Sequence, residues 1–193
     1  MKLIFITFSS ERQHPPVFFF KPDTALLRNN QPFFLPDYTQ DLRATLSLVL
    51  RVSRLGRSIG APFAARYFDA VGVGMDIFAH DLRQKYLLAR QPADGAHAFD
   101  YAAPLSAGWM PAADIPAVKD AALRWSMNGK EPLQNAAIPY TPEEIIPHVS
   151  QFITLKTGDY IFINTSLTSA TLHPGDRLLA FLNGKEMLKV EIR

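Results

Sequence analysis

The 193-residue chain contains no cysteine. That excludes a disulfide framework and thiolate chemistry, and it fits a reducing, cytoplasmic setting. No apolar run approaches the ~18 residues of a membrane span, so no membrane partner is expected. Charge of one sign is also missing: 20 Lys+Arg stand against 18 Asp+Glu, a net +2. A nucleic-acid partner would need a clustered basic surplus with interleaved aromatics, and the sequence has none. The opening stretch, Met1 to Phe8, has no small-residue cleavage site and reads as a first strand rather than a secretory signal.

What is present is punctuation and phenylalanine. The 14 Phe, 15 Pro and 10 Gly suggest short strands and many turns rather than a helical bundle. Hydrophobic residues make up 48% and charged residues 20%, so a packed core is affordable along the whole length. We read 1–193 as one domain of α+β class, dominated by strands, with a few short helices.

Residues 42–52 form the longest β-like run, apolar at Leu42, Leu46, Leu48 and Leu50, with Arg43 and Thr45 on the other parity. Residues 68–79 read as a strand whose Gly72 and Gly74 let it pass close to other backbone. Residues 80–90 have helical spacing. Thr141-Pro142-Glu143-Glu144 is a helix start, with Pro147 an awkward residue inside. Asn128-Gly129 and Asn183-Gly184 predict two-residue hairpin turns, the first leading into a strand over 130–134. Gly158-Asp159 and Gly175-Asp176 each precede a strand, a short internal echo.

Six segments in fixed order resemble the C-terminal catalytic domain of the fumarylacetoacetate hydrolase family. They are Val17 to Pro22 with Ala25-Leu26, Gly74 to Leu82, Phe99-Asp100 with Pro104, Asn128-Gly129 with Gln134, Leu155 to Ser166, and Pro174-Gly175-Asp176. The resemblance implies a mixed β-sheet rolled on itself and a homodimer. It also implies Mg²⁺ or Mn²⁺ held by a Glu-x-Glu strand pair and one Asp. Family members cleave, decarboxylate, hydrate or isomerise 2-oxo and 1,3-diketo acids. A hard ion held by carboxylates chelates keto-acid oxygens and stabilises an enolate.

Aligned on the apolar run, the two Glu positions hold Arg43 and Thr45, and only Asp76 remains of the three carboxylates. The family's Arg reads His80, its Lys before Phe-Asp reads His97, and Thr165 alone survives from its Thr-Gly-Thr-Pro. His14 is the one imidazole left in a shortened N-terminal loop. These departures make Arg43, Thr45, Asp76, His80 and Thr165 the expected pocket, with His14, Lys21 and His97 as candidate catalytic groups. No cofactor is expected, unless a rearranged site restores Mg²⁺ or Mn²⁺. Arg43 is expected to pair with Asp76 in place of the ion. Asp41 could supply a relocated carboxylate, Asp81 caps or pairs within its helix, and Phe18 to Phe20 read as core. The plain alternatives are that Lys21 is a surface amine and that His80 and His97 are incidental. Two functions remain. One is a divergent homodimeric binding protein with weak or no metal-dependent C–C chemistry, taking at most a small carboxylate. The other is an active hydrolase, decarboxylase or isomerase on 2-oxo or 1,3-diketo acids.

Overall fold

The computed structural model describes residues 1–7, 15–115, 118–130, 138, 140–165 and 170–193. The strands run in chain order as β1 (Leu3–Thr7), β2 (Val17–Lys21), β3 (Leu26–Leu27), β4 (Leu42–Val52), β5 (Phe68–Ala79), β6 (Ala103–Pro104), β7 (Met110–Pro111), β8 (Leu123–Met127), β9 (Tyr160–Asn164), β10 (Ala170–Thr171), β11 (Arg177–Leu182) and β12 (Lys185–Glu191). The α-helices are α1 (His80–Leu88) and α2 (Pro142–Phe152).

The main sheet has the order β2-β1-β9-β4-β5-β7, with β10 added along β4. It is mixed, because β1 and β9 run parallel while the other pairs are antiparallel. A three-stranded sheet, β12-β11-β8, and the short β3–β6 pair complete the strands.

Period-two alternation gives the main sheet two different faces. One face carries Leu42, Ala44, Leu46, Leu48 and Leu50 of β4 and Val71, Val73, Met75, Ile77 and Ala79 of β5, all buried. It packs against Ile145, Ile146 and Val149 of α2 and Leu178, Ala180 and Leu182 of β11. The other face holds a smaller core built on Leu3, Phe5, Val49, Tyr160 and Phe162. Arg43, Thr45 and Ser47 lie on this second face, paired across the strands with Phe78, Asp76 and Gly74.

The sheet is rolled, and one contact measures the roll. β2 lies four strand spacings from β5, about 19 Å if the sheet were flat, far beyond a four-carbon side chain. Yet Lys21 Nζ on β2 sits 2.7 Å from Asp76 Oδ1 on β5. The second face is therefore the inside of the roll.

Gly72 and Gly74 serve that inside face. A Cβ on Gly74 would lie 2.4 Å from the Phe162 ring, and one on Gly72 would lie 2.7 Å from Ser106 Oγ and 3.0 Å from the Trp109 ring. The close approach is to side chains, not to backbone as expected.

The turn echo has a shared cause. Gly158 and Gly175 take φ of 86° and 90°, and each following Asp accepts a backbone N–H from three residues back. Asp159 takes Lys156 N at 2.8 Å, and Asp176 takes His173 N at 2.7 Å. The Asn183-Gly184 hairpin forms, with both residues at positive φ. Asn128 and Gly129 also turn at positive φ, and Met127 bridges Lys130. The expected return strand falls mostly outside the described residues, and β8 pairs with β11. Helix α2 begins as expected, with Glu144 accepting the Thr141 backbone N–H at 2.7 Å, and it continues through Pro147.

Candidate functional site

Asp76 is the centre of the inside face. It is 2% exposed, and its two oxygens are used differently. Oδ1 pairs with the Lys21 ammonium, and Oδ2 accepts the Asn164 carboxamide at 3.0 Å. Asn164 is fixed in turn, because its Oδ1 accepts Ser47 Oγ at 2.7 Å. Ser47 and Asn164 are register partners across β4 and β9, so the sheet itself aligns this chain of bonds.

Lys21 is not a surface amine. Its side chain is fully buried, its ammonium donates to Ile77 O at 2.7 Å and Ala102 O at 2.8 Å, and it forms an ion pair with Asp76 Oδ1. The ring of Phe5 lies 4.8 Å from the ammonium. Burial pushes the Lys21 pKa down, and Asp76 works against that. Burial also pushes the Asp76 carboxyl up, but the Lys21 ammonium and the His97 imidazole outweigh it and bring the pKa down to about 2. Asp76 is therefore ionised at neutral pH, with the Lys21 ammonium as its ion-pair partner.

His97 enters from the segment after α1. Its ring stacks on Phe78, with centroids 5.2 Å apart and planes 17° apart, and leans on Phe19 at 4.7 Å. Nδ1 stands 3.7 Å from Asp76 Oδ1, close enough for charge and too far for a hydrogen bond. It has no hydrogen-bond partner among the described residues. An imidazole that faces a carboxylate has the arrangement of a positioned general acid–base.

Arg43 departs from expectation. Its guanidinium does not pair with Asp76. Instead Nε and Nη2 donate to the two oxygens of Asp41 at 2.9 and 2.8 Å. Arg43 and Asp41 are two positions apart at the start of β4, so the local pair forms more easily than the one across the sheet. Asp41 is thereby engaged and does not act as a relocated carboxylate beside Asp76. His80 is half-exposed at the start of α1, its ring 6.2 Å from Phe78 and its backbone N–H on Asp41 O. Asp81 ties the incoming segment to the helix, accepting Thr39 Oγ1 at 2.5 Å and Gln40 N at 3.0 Å. Thr45 is half-buried opposite Asp76. Thr165 is buried, its N–H on Leu46 O and its Oγ1 without a partner among the described residues. His14 lies outside the described residues. The phenylalanine run is not simply core: Phe20 is 41% exposed, and half-buried Phe19 supports His97.

Sequence reasoning missed Asn164 and Ser47. The one signal was parity: Ser47 follows Arg43 and Thr45 on the same face of β4. Asn164 replaces a residue that the resemblance gives as glycine, so it looked like a loss rather than a gain.

Comparisons with known proteins agree with this fold. Residues 7–192 match the family model for the fumarylacetoacetate (FAA) hydrolase C-terminal region. The oxaloacetate tautomerase YcgM of Escherichia coli (strain K12) is 30% identical over 175 residues, 89% of this chain and 80% of that protein. The mitochondrial oxaloacetate tautomerase FAHD1 of Homo sapiens is 27% identical over 171 residues, 88% of this chain and 77% of that protein. Fumarylpyruvate hydrolase from Pseudomonas aeruginosa, solved with Mn²⁺ and pyruvate, superposes with a TM-score of 0.89 at 23% identity, covering 100% of this chain and 89% of its own.

That last structure overturns the expectation of no cofactor, because a protein of the same fold was solved in complex with Mn²⁺ and pyruvate. The residues described here do not by themselves rebuild a three-carboxylate ligand set. Asp76 is already engaged by Lys21 and Asn164, and its cross-strand partner is the neutral Thr45. Among the described residues no group of three or more His, Cys, Asp or Glu could hold an ion. No helix among them is long and apolar enough to cross a membrane. With the family model spanning residues 7–192 and a relative 30% identical along most of both chains, this chain belongs to the fumarylacetoacetate hydrolase family.

Proposed function

We propose that the chain is an active enzyme on 2-oxo acids that moves a proton between the carbon beside the keto group and the keto oxygen. This reading replaces that of a binding protein with lost chemistry. The observation that carries it is the imidazole of His97, braced on Phe78 and 3.7 Å from a carboxylate that Lys21 keeps ionised. The names of the relatives, oxaloacetate tautomerases in bacteria and mitochondria, fit the same class of reaction.

With Nδ1 turned to Asp76, Nε2 is the ring atom left to meet substrate. It accepts a proton from the carbon, the C–H electron pair becomes the new C=C bond, and the carbonyl π pair moves onto the oxygen. Asp76 stabilises the imidazolium, which then returns the proton to that oxygen. The enol forms with no co-reactant consumed. Lys21, buried and paired with Asp76, acts by position, holding the carboxylate charged and fixed. Asn164 and Ser47 hold the other carboxylate oxygen.

The test follows enol loss from oxaloacetate by ultraviolet absorbance. Wild-type protein should accelerate it, and His97→Gln should lose about 10²–10⁴-fold of that acceleration, the usual worth of a positioned acid–base. A His97→Gln variant as fast as wild type would reject the assignment.

A further inference from the structure

We propose that Arg43 is a specificity-determining residue that anchors a second carboxylate, so that the enzyme prefers 2-oxo acids carrying two carboxylates over those carrying one. The inference rests on the function proposed above.

Three observations lead to it. The first is position. Arg43 lies on the inside face of the roll, two residues before Thr45, and Thr45 pairs across the strands with Asp76. The direct cross-strand partner of Arg43 is Phe78, the ring on which His97 stacks. Directly opposed residues on one sheet face have Cβ atoms about 5 Å apart. Arg43 and the ring that braces His97 are thus cross-strand neighbours on the inside face.

The second is the state of its donors. A guanidinium carries five N–H donors in a fixed fork. Asp41 takes the Nε–Nη2 edge, one hydrogen from each nitrogen. The opposite edge, made by Nη1 and the second Nη2 hydrogen, has no partner among the described residues. That edge matches a carboxylate bidentately, and Asp41 has already fixed the plane that presents it.

The third is access. The Arg43 side chain is 31% exposed and that of Asp41 28%, whereas Lys21 and Asp76 are at 0% and 3%. The lower pair is closed off and internally neutral. The upper pair is open at one edge, where a substrate arriving from solvent can reach it. An anion is the natural guest, because the free hydrogens belong to a group that stays positive at any working pH.

The experiment compares kcat/KM for oxaloacetate with that for pyruvate, read as exchange of carbon-bound hydrogen with deuterated solvent. It uses wild type, Arg43→Gln and Arg43→Lys. The ratio of dicarboxylate to monocarboxylate should fall about tenfold or more in Arg43→Gln, carried by KM. Arg43→Lys should fall in between, keeping the charge and losing the fork. An unchanged ratio in Arg43→Gln overturns the anchor while leaving the proposed chemistry standing. Titration with malonate, an unreactive dicarboxylate, separates the two readings further. Weaker malonate binding in Arg43→Gln supports the anchor even if turnover is absent, which would count against the proposed reaction alone. Equal malonate binding in both proteins counts against the anchor.

Discussion

The two faces of the main sheet come from the same strands and do different work. On the outer face β4 and β5 present apolar side chains, most of them aliphatic, and such residues tolerate replacement by others of similar volume. On the inner face the same strands present Arg43, Thr45, Ser47, Gly74 and Asp76, and each depends on a named partner. The difference teaches where the family's chemistry can drift. Residues on the inner face can change without touching the apolar residues of the outer face, so the fold can survive a rewritten site.

The largest effect that separates the faces should come from Lys21→Met. It removes one partner of a buried ion pair and strands the Asp76 charge, at a cost of about 3–5 kcal/mol in urea unfolding. Adding Asp76→Leu should recover most of that loss. If the double variant is no more stable than Lys21→Met, the pair is not the unit described here.

A smaller effect is acid sensitivity. The Asp76 carboxyl is lowered from 3.8 to about 2, so its contribution is present above about pH 3.8 and is lost as pH falls toward 2. The size of that loss is about 2 kcal/mol. The Lys21→Met, Asp76→Leu double variant should lack this part of the acid transition. An identical pH dependence in both proteins would remove Asp76 as its source.

The smallest is Gly74→Ala. Its Cβ would press on the Phe162 ring, which stacks on Phe5 at 4.3 Å. Overpacking there should cost about 1–3 kcal/mol in thermal unfolding. No measurable cost would mean that the inner aromatic layer yields freely.

How much of this was legible in the sequence follows the same division. Strand β4 and its two parities could be read because side-chain alternation is local and regular. The Gly-Asp turns and the Asn-Gly hairpin were legible because positive φ and short-range capping are properties of a few adjacent residues. Lys21 was singled out as a candidate through the resemblance, but its burial was not legible. A lysine before Pro22 looks like a surface amine, and its burial depends on the roll bringing β2 to β5, 55 residues later in the chain. The Asn164–Asp76 bond, across a separation of 88 residues, depends on strand order rather than on any local pattern. The Arg43–Asp41 pair was available at a spacing of two, yet the cross-sheet alternative looked more natural once the family's ion was in mind. The local partner prevailed because it needs no burial of charge.

The most direct measurement of the account is solvent deuterium exchange into the methyl group of pyruvate, followed by proton NMR, on Leu46→Ala and His97→Gln side by side. Leu46 belongs to the outer core and His97 to the inner face. Per folded molecule, Leu46→Ala should exchange at the wild-type rate, although it unfolds about 2–5 kcal/mol more easily. His97→Gln should stay folded and lose exchange by about 10²-fold or more. Exchange that persists at the wild-type rate in folded His97→Gln would contradict the claim that the inner face carries out the chemistry through this imidazole.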